Sequence, residues 1–176
     1  MPAALSSAAD PPYLRAAAGP TPARATPPEQ RLALRCVHTG HRCDAVFKRG
    51  ERFDSSGLAE LDQGLRDWRT GDATLMDRDL LMLLASVRDT LGVAASTPFL
   101  LISGFRSSAT NAALHARSGQ VATKSQHMLG KAVDIAMDGI PLARIRDAGL
   151  AMRRGGVGFY PRDGFVHLDT GRLRRW

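Results

Sequence analysis

The sequence predicts an α+β domain, a small antiparallel-rich sheet with helices packed on it. Two leucine-rich stretches in the first half of the chain repeat at helical spacing. Short apolar or alternating runs follow, some joined by turns that suit hairpins. The order of these elements lacks the regular strand–helix alternation of a doubly wound parallel sheet. The 176 residues suffice for one domain with a real core. An apolar fraction of 44% with 23% charged residues is ordinary for a globular chain.

Residues 1–30 carry seven prolines and many alanines, and read as a flexible tail. Ala23-Arg24-Ala25 resembles a signal-cleavage site, but no apolar segment of adequate length precedes it. The tail is readable as the remnant of an export signal, and export itself stays open. The folded domain is expected over 31–176.

Arg31 to Val37 and Arg42 to Lys48 read as a hairpin. A two-residue turn at Thr39-Gly40 would set Cys36 opposite Cys43, within disulfide reach. Two free thiols are the alternative, and a Cys/His metal knuckle with His38 and His41 lacks the usual Cys-x-x-Cys pair. Ser56 is placed to cap a helix whose Leu58, Leu61, Leu65 and Trp68 share a face. Asp77 can cap a second helix with a stripe from Leu80 to Leu91, ended by Gly92.

Phe99 to Ile102 reads as a buried strand and Ser108 to Arg117 as a helix. Residues 118–126 read as a loop and Ala132 to Ala136 as a strand. Pro141 opens a helix that runs to about Arg154, where Gly155-Gly156 breaks it. Val157 to Tyr160 and Phe165 to Asp169 form a last hairpin.

The chemistry lies in Ser125-Gln126-His127-Met128-Leu129-Gly130-Lys131-Ala132-Val133-Asp134 and in His167. Two imidazoles and a carboxylate are a common ligand set for catalytic zinc, because three protein ligands leave one position open. Strand alternation puts His167 and Asp169 on one face, with Val166 and Leu168 behind them. It puts Ala132 and Asp134 on one face, with Val133 and Ile135 behind. Gly130 permits the turn that folds His127 over Asp134.

The pattern Ser125-x-His127-x-x-Gly130-x-Ala132-x-Asp134 resembles the signature of zinc D,D-peptidases that act on peptidoglycan. That group shares its fold with D-Ala-D-Ala dipeptidases and the hedgehog domain. Ser103-Gly104-Phe105-Arg106-Ser107, the segment Gly155 to Arg162, and Phe165 to Gly171 are similar to further motifs of the murein endopeptidase K subfamily, as are Val37 to Gly40 and Trp176. The resemblance covers roughly 31–176.

It implies one zinc per chain held by His127, Asp134 and His167. Arg106 would reach the scissile carbonyl or a substrate carboxylate, and Ser125 and Tyr160 would line the substrate groove. Many relatives carry an acid three residues before the last histidine ligand. This chain has Gly164 there, and Phe165 where others have histidine. Asp169, as base or as partner of His167, and Asp163, as base, are the remaining candidates.

The implied activity is hydrolysis of peptide cross-links in the cell wall. Trimming of stem ends by a D,D-carboxypeptidase or dipeptidase, and a non-catalytic zinc-stabilised binding module, are the alternatives. The substrate implies a periplasmic or envelope location, and a monomer is expected. The net charge of +7 suits a polyanionic wall polymer or a solvated surface. No basic helix interleaved with aromatics points to nucleic acid. No apolar run is long enough for a transmembrane segment.

Overall fold

The computed structural model describes residues 28–118 and 122–176. Most of the tail, and with it Ala23 to Ala25, lies outside the described residues. The strands are β1 (Glu29–Cys36), β2 (Arg42–Arg49), β3 (Arg52–Phe53), β4 (Phe99–Ser103), β5 (Ala132–Met137), β6 (Gly156–Tyr160), β7 (Phe165–Asp169) and β8 (Arg174–Arg175). The α-helices are α1 (Ser55–Gly64), α2 (Arg78–Leu91), α3 (Ser108–Ser118) and α4 (Leu142–Met152). A short 3-10 turn spans Gln126–Leu129.

One sheet of eight strands runs in the order β3-β2-β1-β4-β5-β7-β6-β8. It is larger than the small sheet expected, because β1 joins β4 in parallel and two short strands extend the edges. β6 and β8 also pair in parallel, and the remaining pairings are antiparallel, so the α+β expectation holds.

A single core unites Leu61 and Leu65 with the α2 leucines, Ile145 of α4 and the sheet residues Phe47, Val133, Ile135, Val166 and Leu168. These four last residues are fully buried, as their alternation requires. Burying a side chain of this size contributes about 1.5–3 kcal/mol. The opposite sheet face is therefore free to carry Asp134 and His167. No helix among the described residues is long and apolar enough to cross a membrane.

Local chemistry accounts for the boundaries. Asp77 caps α2 by accepting from Asp79 N, and Gly92 closes it at φ 71°. Asp54, rather than Ser56, caps α1, since its carboxylate reaches Gly57 N at 2.9 Å. Trp68 lies beyond the end of α1 and stacks on His38, with ring centroids 4.0 Å apart. Helix α4 ends at Met152, because Arg153 itself turns left-handed at φ 51°.

The β1–β2 turn is longer than two residues: Gly40 N donates to Cys36 O, and Cys36 N to His41 O. That register sets Cys43 opposite Leu34 instead of Cys36, and both cysteines are buried free thiols. His38 Nε2 meets Ile102 O at 3.2 Å, so it joins no metal knuckle.

Candidate metal centre

Asp134 and His167 are direct cross-strand partners in β5 and β7. His127 arrives from the 3-10 turn, where Ser125 Oγ accepts from His127 N. Gly130 ends that turn at φ 67°, and a side chain there would press on Leu75 O at 2.9 Å. The motif glycine is thus required twice, by its backbone conformation and by the space around it.

His127 Nε2, His167 Nδ1 and Asp134 Oδ1 converge. The separations are 3.2 Å between the nitrogens, 2.9 Å from His167 to Asp134 and 3.3 Å from His127 to Asp134. Among the described residues this is the one group of three or more His, Cys, Asp or Glu side chains able to hold a metal ion.

The outward nitrogens fix the tautomers. His127 Nδ1 donates to Gly104 O at 2.7 Å, and a carbonyl can only accept. His167 Nε2 pairs with Asp169 Oδ2 at 2.9 Å and donates to that carboxylate. In the neutral form of both rings, two imidazole lone pairs and a carboxylate oxygen therefore face one another. Three acceptors at such distances call for a cation between them, and the donor set fits a metal of the zinc class.

Burial and the neighbouring charges set the protonation of these groups. Burial pushes the His127 pKa down, toward the neutral imidazole. Burial acts the same way on His167, but Asp134 and Asp169 outweigh it and raise that pKa. Burial opposes ionisation of Asp134, yet the two imidazoles hold it far below the usual carboxylate range.

Asp169 is fully buried and accepts five hydrogen bonds: from His167, from Arg174 Nη1 and Nη2 at 3.1 and 2.6 Å, and from Gly156 N and Gly171 N at 3.0 and 2.8 Å. Burial raises its pKa, but these donors together pull it well below the usual range. A Cβ on Gly156 would lie 2.5 Å from Asp169 Oδ2, so this glycine makes room for the clamp.

Arg106 pairs with Asp134 Oδ2 and donates from Nε to Ser103 Oγ at 2.8 Å. Its Nη1 has no partner among the described residues. The loop that carries it is anchored by buried Asp67, which accepts from Ser107 N and Oγ at 3.0 Å each.

Above the triad lies a cleft of about 860 Å³ whose lining includes Arg106, Ser125, Tyr160, Asp163, Arg172 and Trp176. Every sequence-predicted site residue except Asp169 lines this cleft; Asp169 lies beneath His167. Phe159, the neighbour of Tyr160, instead packs on the core side against Arg146. Sequence reasoning missed Arg174, Asp67, Ser103 and the carbonyl of Gly104. The Ser103-Gly104-Phe105-Arg106 segment contained two of these, whereas Arg174 and Asp67 carry no local signal.

The sequence pattern of the peptidoglycan L,D-endopeptidase MepK family matches residues 24–176. The chain belongs to this family. It is 45% identical to the peptidoglycan L,D-endopeptidase MepK of Escherichia coli (strain K12) over 166 residues, 93% of this chain and 90% of that protein. It is 36% identical to a probable peptidoglycan L,D-endopeptidase MepK of Haemophilus influenzae over 151 residues, 86% of this chain and 81% of that one. The matched span contains the whole triad, the Asp169–Arg174 clamp and the cleft, so family membership and site coincide.

Proposed function

We propose that this protein is a zinc-dependent endopeptidase that cuts L,D peptide cross-links of peptidoglycan in the periplasm or cell envelope. The observation that carries the reading is the set of three converging lone pairs under a cleft that extends past the site. The names of the family and of its relatives supply the substrate class. An endopeptidase needs a groove on both sides of the scissile bond. Arg172 lies past the Asp169 end of β7, and Tyr160 and Asp163 lie at its Phe165 end, so cleft-lining groups flank His167 on both sides.

His127, Asp134 and His167 hold one zinc ion per chain. When bound, zinc supplies a Lewis acid for the carbonyl and lowers the pKa of water. Asp169 acts as the positioning partner of His167 rather than as base, because its oxygens are saturated by donors. Asp163 is the proton carrier: it lines the cleft and is exposed, and while its backbone N–H donates to Tyr160 O, its carboxylate has no partner among the described residues. It takes a proton from the attacking water and delivers it to the leaving amine. Arg106, through its unpaired Nη1, donates to the developing oxyanion. Ser125 holds the 3-10 turn and faces the peptide. The enzyme acts as a monomer.

The test is incubation of the purified protein with cross-linked muropeptide dimers, with zinc and with chelator. Dimers containing an L,D bond are expected to fall to monomers only with zinc. Asp163→Asn is expected to lower kcat by at least about a hundredfold, in the range typical of a lost general base, while one zinc stays bound. Intact dimers beside a fully zinc-loaded protein would overturn the enzymatic reading.

A further inference from the structure

Side chains alternate along β6, so Gly156, Gly158 and Tyr160 share the face that carries the metal centre. Gly158 sits opposite His167 in β7. The indole of Trp176 occupies the space that a side chain at 158 would need: a Cβ there would lie 2.7 Å from Trp176 Cε2. The indole is tilted against the His167 ring, with centroids 5.3 Å apart, and the Arg174 guanidinium lies 4.8 Å from its centroid. The Trp176 backbone is tied to β6, donating to Val157 O and accepting from Phe159 N. The indole is therefore fixed from below, from the side and through its main chain.

This fixed indole donates its Nε1–H to the Tyr160 hydroxyl oxygen at 2.6 Å. An indole nitrogen can donate but not accept, so the direction of this bond is set. It occupies one lone pair of Tyr160 and leaves the hydroxyl hydrogen unspent. No other described residue accepts that hydrogen. The Tyr160 ring stacks on Phe165, with centroids 4.6 Å apart, which holds the phenol at the cleft wall. Donation into a hydroxyl oxygen also polarises it and strengthens the bond it can donate onward.

We propose that the Tyr160 hydroxyl donates a hydrogen bond to a carbonyl oxygen of the bound peptide beside the scissile bond, and that Trp176 is the positioning residue that aims and polarises it. The proposal rests on the reading that the cleft holds a stem peptide. It assigns the glycine at 158 a purpose as well: only a residue without a side chain lets the indole reach both His167 and Tyr160.

Tyr160→Phe removes the donor and keeps the ring. Trp176→Phe keeps an aromatic ring over Gly158 and removes the N–H. With the zinc-loaded protein and a cross-linked muropeptide dimer, Tyr160→Phe is expected to lower kcat/KM roughly tenfold, the scale of one lost hydrogen bond. Trp176→Phe is expected to lower it several-fold, and the double variant no further than Tyr160→Phe alone, since the indole acts through the phenol. Calorimetric titration of the same dimer with chelator present, where it stays intact, reads the bond independently of cleavage, with a weaker Kd for Tyr160→Phe. Unchanged kcat/KM and Kd in Tyr160→Phe overturn the proposal, even if the melting temperature falls, because a purely structural pair changes stability alone. Additive losses in the double variant overturn the role of Trp176. A wild type that binds the dimer without cutting it refutes the enzymatic reading but leaves the Kd comparison decisive. A wild type that neither cuts nor binds overturns both.

Discussion

At the scale of single residues, the site is a problem of proton placement. His127 and His167 each spend one ring nitrogen on a fixed acceptor, Gly104 O and Asp169, which aims the other lone pair inward. Asp169→Asn keeps the shape, but its amide can turn a donor toward His167 Nε2 and favour the wrong tautomer. Zinc affinity is expected to fall about 10- to 100-fold, the usual cost of losing such an outer partner. Competition with a chromogenic chelator measures it, and affinity within twofold of wild type would contradict the tautomer argument. That His127, Asp134 and His167 come together was legible in the sequence because their motifs are local and ordered. The saturation of Asp169 by donors was not, because it depends on Arg174, Gly156 and Gly171, which reach Asp169 only in the folded sheet.

At the scale of elements, loops hold the centre and buried polar anchors hold the loops. Asp67 ties the segment after α1 to the loop that bears Arg106. Burial opposes its ionisation, but bonds from Thr110, Ser107 and Arg69 prevail and lower its pKa. A folded pKa below the unfolded value of ~3.9 means the stabilisation is complete above that value and is lost as pH falls through the folded pKa. Asp67→Ala is expected to cost about 1–3 kcal/mol at neutral pH by stranding these donors. It should also flatten the fall of stability below about pH 4. Urea unfolding as a function of pH reads both effects, and an unchanged acid slope would remove Asp67 from the account.

The hairpin β1–β2 shows where pattern reading stops. The hairpin reading placed both strands, but the turn length set the cysteine register, and two extra turn residues moved Cys43 opposite Leu34. Burial and the neighbouring Glu60 push the Cys43 thiol up to about 12. The native protein is expected to resist iodoacetamide at Cys43 at pH 8, and after unfolding without reductant to titrate as two thiols. Fewer than two would reveal a disulfide and a different register.

For the whole molecule, one helix-covered face of the sheet carries the core and the opposite face carries the chemistry. The helices of the middle of the chain and the last hairpin could be read from periodicity, because burial of one face imposes it. The parallel β1–β4 pairing and β8 could not: they join segments distant in sequence or only two residues long. Yet β8 delivers Arg174 to Asp169 and leads to Trp176 beside His167, so the least legible strand completes the site.

On the proposed reading, the three converging lone pairs hold one zinc ion. X-ray absorption at the zinc edge, on protein loaded with one equivalent and compared with His127→Ala, tests it most directly. The expected result is one tightly held zinc per chain with two imidazole nitrogens and oxygen ligands at about 2.0–2.2 Å, and loss of that signal in the variant. Sulfur ligation by Cys36 or Cys43, or zinc held equally well by His127→Ala, would contradict it.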